Sequence, residues 1–137
     1  MNTHLIEKTW NDIAAHHHAI AETFYSRLFE RHPEYAKLFK AETMATQIDR
    51  MVRTLAMVSS KADIPSAIRP HLNRVGQAHA SLGLSQDDLN NFSRTMIEVI
   101  AEYCDAENGS WTFECERAWG EAFNAIVEPM MLEGMKH

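Results

Sequence analysis

The chain has 137 residues, of which 45% are hydrophobic and 23% charged, and this is enough for one folded domain with its own core. Its 19 acidic and 13 basic residues give a formal charge of −6, which disfavours nucleic acid as the main partner. No run of about 18 apolar residues occurs, so no segment is expected to span a membrane. The N-terminus lacks the basic-then-apolar pattern of an export signal, so we expect a cytoplasmic protein with residues 1–137 forming a single domain.

Apolar residues recur at steps of three and four through the first third of the chain, which predicts helices. Three adjacent histidines, His16–His18, follow the first stripe. Adjacent residues lie about 100° apart around a helix, so these side chains are not expected to converge on one metal. Tyr25 lies at the edge of the second stripe. Pro33 ends that helix and can open a short third one, which leads to Phe39.

A strongly helical pattern runs from about Met44 to Ser60, and Gln47 is a polar residue on its apolar face. The ordinary interpretation of such a glutamine is a boundary residue half in solvent. The next segment, KADIPSAIRP, contains two prolines and is predicted to be a loop. A helix is then predicted to start at Pro70 and to close at Gly83.

His79 lies near the end of that helix, on one stripe with Leu72 and Val75. Two interpretations remain open from these residues alone. A lone histidine on an apolar face is most often an ordinary core residue. The alternative is a ligand to a metal or to haem iron.

The second half of the chain continues the helical pattern. Ser85 and Asp88 form a capping-box-like start, and the residues before Gly109 carry one long helix. Pro129 is expected to kink or end the last helix. With about seven helical segments and no alternating strand pattern, the predicted fold class is all-α.

Nucleophile, phosphate-loop and paired-carboxylate motifs are not evident, and the spacing of Cys104 and Cys115 excludes covalent c-type haem attachment and a cysteine-based zinc site. Two facing helices could instead enclose a flat apolar cofactor. His79 would bind its metal from one side, and Gln47 and Tyr25 would offer hydrogen-bond donors on the other.

Four segments occur in a familiar order: FYSRLFERHPEYAKLF, Q-x-x-R-M, VGQAHASLGL and AWGEAF. Together they resemble the single-domain bacterial haemoglobins and the globin domain of flavohaemoglobins. The resemblance implies a 3-over-3 globin fold around one haem b, with His79 as the proximal iron ligand. It also implies distal roles for Tyr25 and Gln47, and haem contacts from Phe39, Arg50, Met51, Val75, Leu84, Phe92 and Met96.

The function implied by this resemblance is reversible binding of O₂, and of NO and CO, at pentacoordinate ferrous haem. The alternatives are nitric oxide dioxygenation, a haem-based gas sensor, and a haemless interaction module. Flavohaemoglobins carry a tyrosine and a glutamate around the proximal histidine, and Leu89 and Gly134 stand near those positions here. The 137 residues contain no flavin or nicotinamide reductase segment, so catalytic turnover would need a separate reductase.

Overall fold

The computed structural model describes residues 1–136, and this part of the chain is helical without any β-strand. A π-helical turn, Phe123–Val127, joins the last two segments into one continuous helix, so the all-α prediction with about seven helices is confirmed. The helices are α1 (Thr3–Asp12), α2 (His17–Arg31), α3 (Pro33–Ala36), α4 (Met44–Lys61), α5 (Pro65–His79), α6 (Gln86–Asn108), α7 (Phe113–Ala122) and α8 (Glu128–Met135).

The start of α6 follows its sequence signal. The Ser85 side chain accepts the backbone N–H of Asp88, and the Asp88 carboxylate accepts the backbone N–H of Ser85. Together they form the predicted capping box, which pairs two backbone donors that a helix start leaves unsatisfied. At the other end, Gly109 closes α6 with a φ of 64°, a left-handed conformation that glycine adopts without steric cost.

The start of α5 differs from the prediction. Only residues 62–64 of the segment KADIPSAIRP form a loop, because the helix begins at Pro65 and Pro70 lies inside it. Pro65 is favourable at the first helical position, where the missing N–H would be unpaired anyway. Pro70 leaves the carbonyl of Ser66 without its helical donor, but Ser66 is exposed, so water can bind there. The helix that carries His79 is therefore five residues longer at its start than predicted.

Trp119 anchors the centre of the core. Its side chain is fully buried, and its indole Nε1 donates a hydrogen bond of 2.8 Å to the Thr9 hydroxyl, which itself donates to the carbonyl of Leu5 at 2.8 Å. Because every polar atom in this chain of bonds is paired, the buried tryptophan costs no unsatisfied donor. The contact ties α7 to α1.

The three consecutive histidines lie at the junction between α1 and α2, as expected. His17 stacks on Trp10 with ring centroids 3.6 Å apart, and its Nε2 lies 2.8 Å from the Trp10 carbonyl. Burial lowers the pKa of His17 below its usual range. His16 pairs instead with Glu107 at 3.0 Å. Within residues 1–136, no three histidine, cysteine or acidic side chains are grouped as metal ligands.

Two glycines allow α5 to pack directly on α8. A Cβ added at Gly76 would overlap the carbonyl oxygen of Met131, and one added at Gly134 would overlap that of Asn73. Between them, the Asn73 side chain donates a hydrogen bond of 2.8 Å to the Met130 carbonyl. The backbones can therefore approach only because both positions lack a side chain. The crossing holds α5 in place at Gly76, which is three residues before His79.

Replacing Gly76 with alanine should lower the free energy of unfolding by about 2–3 kcal/mol, because the new methyl group must push two backbones apart. Urea unfolding measures this change. Gly120→Ala is the matched control: nothing lies within 4 Å of its added Cβ, so it should be neutral or stabilise by up to about 1 kcal/mol. Equal stabilities of the two variants would contradict the close crossing.

Pro129 was expected either to kink or to end the last helix, and the helix does not end there. The backbone N–H of Glu128 bonds to the carbonyl of Phe123, five residues earlier, and α8 then continues to Met135. The widened turn accommodates the proline, whose ring would otherwise clash with a carbonyl of the preceding turn. As a result, Phe123 and Glu128 lie on the same face of the helix.

No helix within residues 1–136 combines the length and the apolar composition needed to cross a lipid bilayer.

Candidate functional site

A cavity of about 460 Å³ lies between α2, α4, α5, α6 and the last helix, and most of its lining is apolar. A volume of this size is typical of a site for a small molecule or cofactor. Every site residue predicted from the sequence lines it, although these residues come from six separate segments. They are Tyr25, Phe39, Gln47, Arg50, Met51, Val75, His79, Leu84, Phe92 and Met96.

His79 is the last residue of α5, and its half-buried ring lies in the cavity wall. Its Nδ1 lies 2.6 Å from the carbonyl oxygen of Val75, one turn earlier. Because a carbonyl can only accept, Nδ1 carries the proton, and the lone pair of the neutral ring is on Nε2. A histidine that binds a metal through one ring nitrogen is usually oriented by a hydrogen bond of this kind at the other ring nitrogen. The local geometry therefore prepares Nε2 as a ligand atom.

Tyr25 lies on α2 with only 7% of its surface exposed. Burial raises the pKa of its hydroxyl to about 12, so the group is protonated at neutral pH. None of the buried side-chain N or O atoms in residues 1–136 lacks a partner, and the hydroxyl forms no hydrogen bond within that range. The hydroxyl therefore lies at the cavity surface, with a proton available to donate.

Gln47, Arg50 and Met51 share one face of α4, at helical steps of three and four residues. Gln47 and Met51 are half-buried, whereas Arg50 is exposed. The glutamine therefore offers a second polar group to the cavity interior. Arg50 lies at the open side, where Lys40 is a second exposed cation. Neither cation forms an ion pair within the described part of the chain, so both could meet an anionic group at the opening.

Phe39 follows α3 and is held by an aromatic cluster. Its ring centroid lies 5.6 Å from that of Tyr25 and 5.4 Å from that of Phe29, in tilted and edge-on arrangements. Such contacts add about 0.5–1.5 kcal/mol per pair beyond the burial of area. The cluster keeps an aromatic face at one side of the cavity and the Tyr25 ring beside it.

Five polar lining residues were not predicted from the sequence: Lys40, Thr43, Thr54, Ser93 and Glu128. Thr54 and Ser93 could have been found, because each continues a helical stripe of predicted site residues at steps of three or four. Glu128 also had a signal, since it is a single charge between the apolar pairs 126–127 and 130–131. The side into which the Glu128 side chain points depends on the π-helical turn, which no local pattern indicated.

The residues present fit a haem group. The cavity has apolar walls for a flat macrocycle, one histidine with a free Nε2, and two exposed cations where the carboxylates of a haem would meet solvent. Tyr25 and Gln47 supply polar groups to the interior. The fold and the cavity thus define an all-helical protein with a histidine-bearing site for a flat metal-containing cofactor.

The chain belongs to the globin family, whose model matches residues 22–130. A flavohaemoprotein of Rhizobium meliloti is 24% identical over 134 residues, covering 96% of this chain and 32% of that protein. The chain thus spans about a third of the length of the curated flavohaemoproteins it matches. An anaerobic nitrite reductase, HBII of Casuarina glauca, is 24% identical over 94% of this chain and 88% of its own.

A solved structure is similar along nearly the whole chain. It is an engineered carbene transferase from Rhodothermus marinus, described as a presumed nitric oxide dioxygenase, with a TM-score of 0.83 at 23% identity. The match covers 98% of this chain and 91% of the other. The predicted globin fold and the resemblance to flavohaemoglobin globin domains are therefore confirmed. Family membership implies haem as the cofactor.

Proposed function

We propose that this chain binds one haem b and reversibly binds O₂, and also NO and CO, at its ferrous iron. One observation carries the proposal: the free Nε2 of His79 and the unpaired hydroxyl of Tyr25 both belong to the same mostly apolar cavity. Haem, when bound, supplies the iron at which a diatomic ligand attaches. A cytoplasmic location and a single domain over residues 1–137 stay predictions.

His79 is proposed as the only protein ligand to the iron, which makes the ferrous haem pentacoordinate. No other histidine lines the cavity within the described residues. The bond from Nδ1 to the Val75 carbonyl holds the ring in one orientation and, in the neutral ring, places the lone pair on Nε2. Phe39, Val75, Leu84, Phe92 and Met96 are proposed to pack against the haem and exclude water.

Tyr25 and Gln47 are proposed to stabilise the bound ligand. A diatomic ligand that gains electron density carries partial negative charge, and a donor already in place stabilises that charge in a dry cavity. Each such hydrogen bond contributes about 1–3 kcal/mol. Tyr25 is the stronger candidate because its hydroxyl is protonated and has no competing partner in residues 1–136. Met51 is proposed to restrict the space beside the bound ligand, and Arg50 is proposed to meet a haem carboxylate.

Titration of the purified apoprotein with haemin tests this proposal. We expect a 1:1 end point, a Soret band, and distinct spectra for the ferric, ferrous, CO-bound and O₂-bound forms. Loss of O₂ under vacuum with return of the ferrous spectrum would show that binding is reversible. Absence of stoichiometric haem binding would contradict the proposed function.

Nitric oxide dioxygenation with a separate reductase is the second candidate. It is favoured by the Rhizobium meliloti relative, which is described as a flavohaemoprotein, and by the similar structure described as a presumed nitric oxide dioxygenase. The same distal residues would serve it. Sustained NO consumption with an added flavin reductase and NADH would support this activity, whereas a single stoichiometric turnover would leave reversible binding as the function.

A further inference from the structure

Glu128 is the only charged side chain among the fully buried residues of the described chain, with 3% of its surface exposed. Its two carboxylate oxygens accept one hydrogen bond each, from the Ser93 hydroxyl at 2.5 Å and from the Gln86 amide at 2.5 Å. Burying a carboxylate is costly unless donors satisfy it. The two bonds therefore explain how the charge is tolerated in this position.

Neither donor cancels the charge. Serine and glutamine are neutral, and Glu128 forms no ion pair with a residue in the range 1–136. Both oxygens act as acceptors, which is how an ionised carboxylate is bound. An uncompensated negative charge thus remains inside the protein. It differs in this respect from Glu133 on the same helix, which is more exposed and pairs with Arg69 at 2.8 Å.

The charge belongs to the same cavity as His79. Glu128 and Ser93 both line its wall, beside Leu89, Phe92 and Met96. The two cations of the lining, Lys40 and Arg50, are exposed at the opening and are screened by water. A charge in the apolar interior is screened far less than these exposed cations are, so its effect reaches further inside the cavity.

We propose that Glu128 biases the haem towards its ferric state and so sets how readily the protein is reduced. Removing an electron leaves one more positive charge on the iron, and a fixed negative charge in the same cavity stabilises that form. The inference rests on the proposed haem function and adds a redox-tuning residue to it. It involves no contact with His79, whose Nδ1 is bonded to Val75.

Three substitutions at this position separate charge from packing. Glu128→Gln and Glu128→Met both remove the charge and keep about the same volume, with and without a polar end. Glu128→Asp keeps the charge on a shorter side chain. Glu133→Gln is the matched control, because it makes the same chemical change on the same helix outside the cavity.

The measurement is the ferrous-to-ferric ratio of the haem-loaded protein, read from its absorption spectrum at one fixed applied potential. We expect this ratio to rise about tenfold in Glu128→Gln and Glu128→Met, on the scale of a single charge interaction in a protein interior. Glu128→Asp and Glu133→Gln should stay close to the wild-type ratio. Either charge-removing variant that retains haem is sufficient for the comparison.

An unchanged ratio in the charge-removing variants would overturn the inference while leaving the proposed function intact. A shift in Glu128→Asp as large as that in Glu128→Gln would also overturn it, since it would assign the effect to packing. A wild-type protein that takes up no haem would instead overturn the proposed function itself.

Discussion

Replacing His79 with alanine should abolish stoichiometric haem binding, because the cavity offers no second histidine within the described residues. The remaining apolar contacts can still hold a flat macrocycle weakly, but nothing fixes the metal. We expect the haemin titration to lose its 1:1 end point. Any residual bound haem should lack the spectrum of a histidine-ligated iron.

His71→Ala is the control for this variant. His71 lies on the same helix and is half-buried, but it bonds to the Thr54 hydroxyl at 2.9 Å and does not line the cavity. Its loss should therefore leave haem stoichiometry unchanged. Wild-type haem affinity and spectra in the His79 variant would show that another group binds the iron.

Replacing Tyr25 with phenylalanine should accelerate O₂ release about tenfold, which corresponds to the loss of one hydrogen bond of about 1.4 kcal/mol. The change removes only the hydroxyl and keeps the ring against Phe39, so the cavity should keep its shape. Stopped-flow displacement of O₂ by CO measures the release rate.

Tyr35→Phe separates this effect from the general loss of a tyrosine hydroxyl. Tyr35 is also buried, but its hydroxyl donates to Asp88 at 2.5 Å, accepts from Asn91 at 3.1 Å and lies outside the cavity lining. That variant should lose about 1 kcal/mol of stability without a change in O₂ release. An unchanged release rate in Tyr25→Phe would leave ligand stabilisation to Gln47 alone.

The positions of the predicted site residues were accessible from the sequence to an unusual degree. Tyr25, Gln47 and His79 lie on three different helices, and nothing in the local patterns brings them together. The order of four motifs did so through the resemblance to globins, and the structure places all three around one cavity. Their individual roles stay predictions, which the variants above test.

Local patterns were less successful where two signals competed. The two prolines of KADIPSAIRP favoured a loop, yet the helix starts at the first of them and contains the second. A proline signals an interrupted hydrogen bond, but the outcome depends on whether the freed carbonyl can reach water. At Ser66 it can, and only the packed structure shows that this residue is exposed.

Gly134 illustrates the same dependence on packing. In the comparison with flavohaemoglobins, Gly134 stands near the position of the glutamate that those proteins carry beside the proximal histidine. In the structure, a side chain at this position would overlap the backbone of Asn73, because α5 and α8 cross in direct contact. The glycine is thus required by the crossing that positions α5, and the buried carboxylate of this helix is at Glu128 instead.

The amino-acid pattern alone was enough for the helical class, for the capping of α6 and for His79 on an apolar stripe. These features arise from neighbours a few residues apart, and periodicity and capping chemistry report such contacts directly. The close approach of α5 to α8 and the direction of Glu128 needed the tertiary structure. The helix crossing depends on contacts between residues more than 30 positions apart. The direction of Glu128 depends on such contacts as well and on a π-helical turn that adapts to its surroundings. Local spacing carries no information on long-range contacts or on this turn. The sequence therefore identifies His79 as a candidate ligand, whereas only the folded structure shows that the Glu128 side chain lines the same cavity.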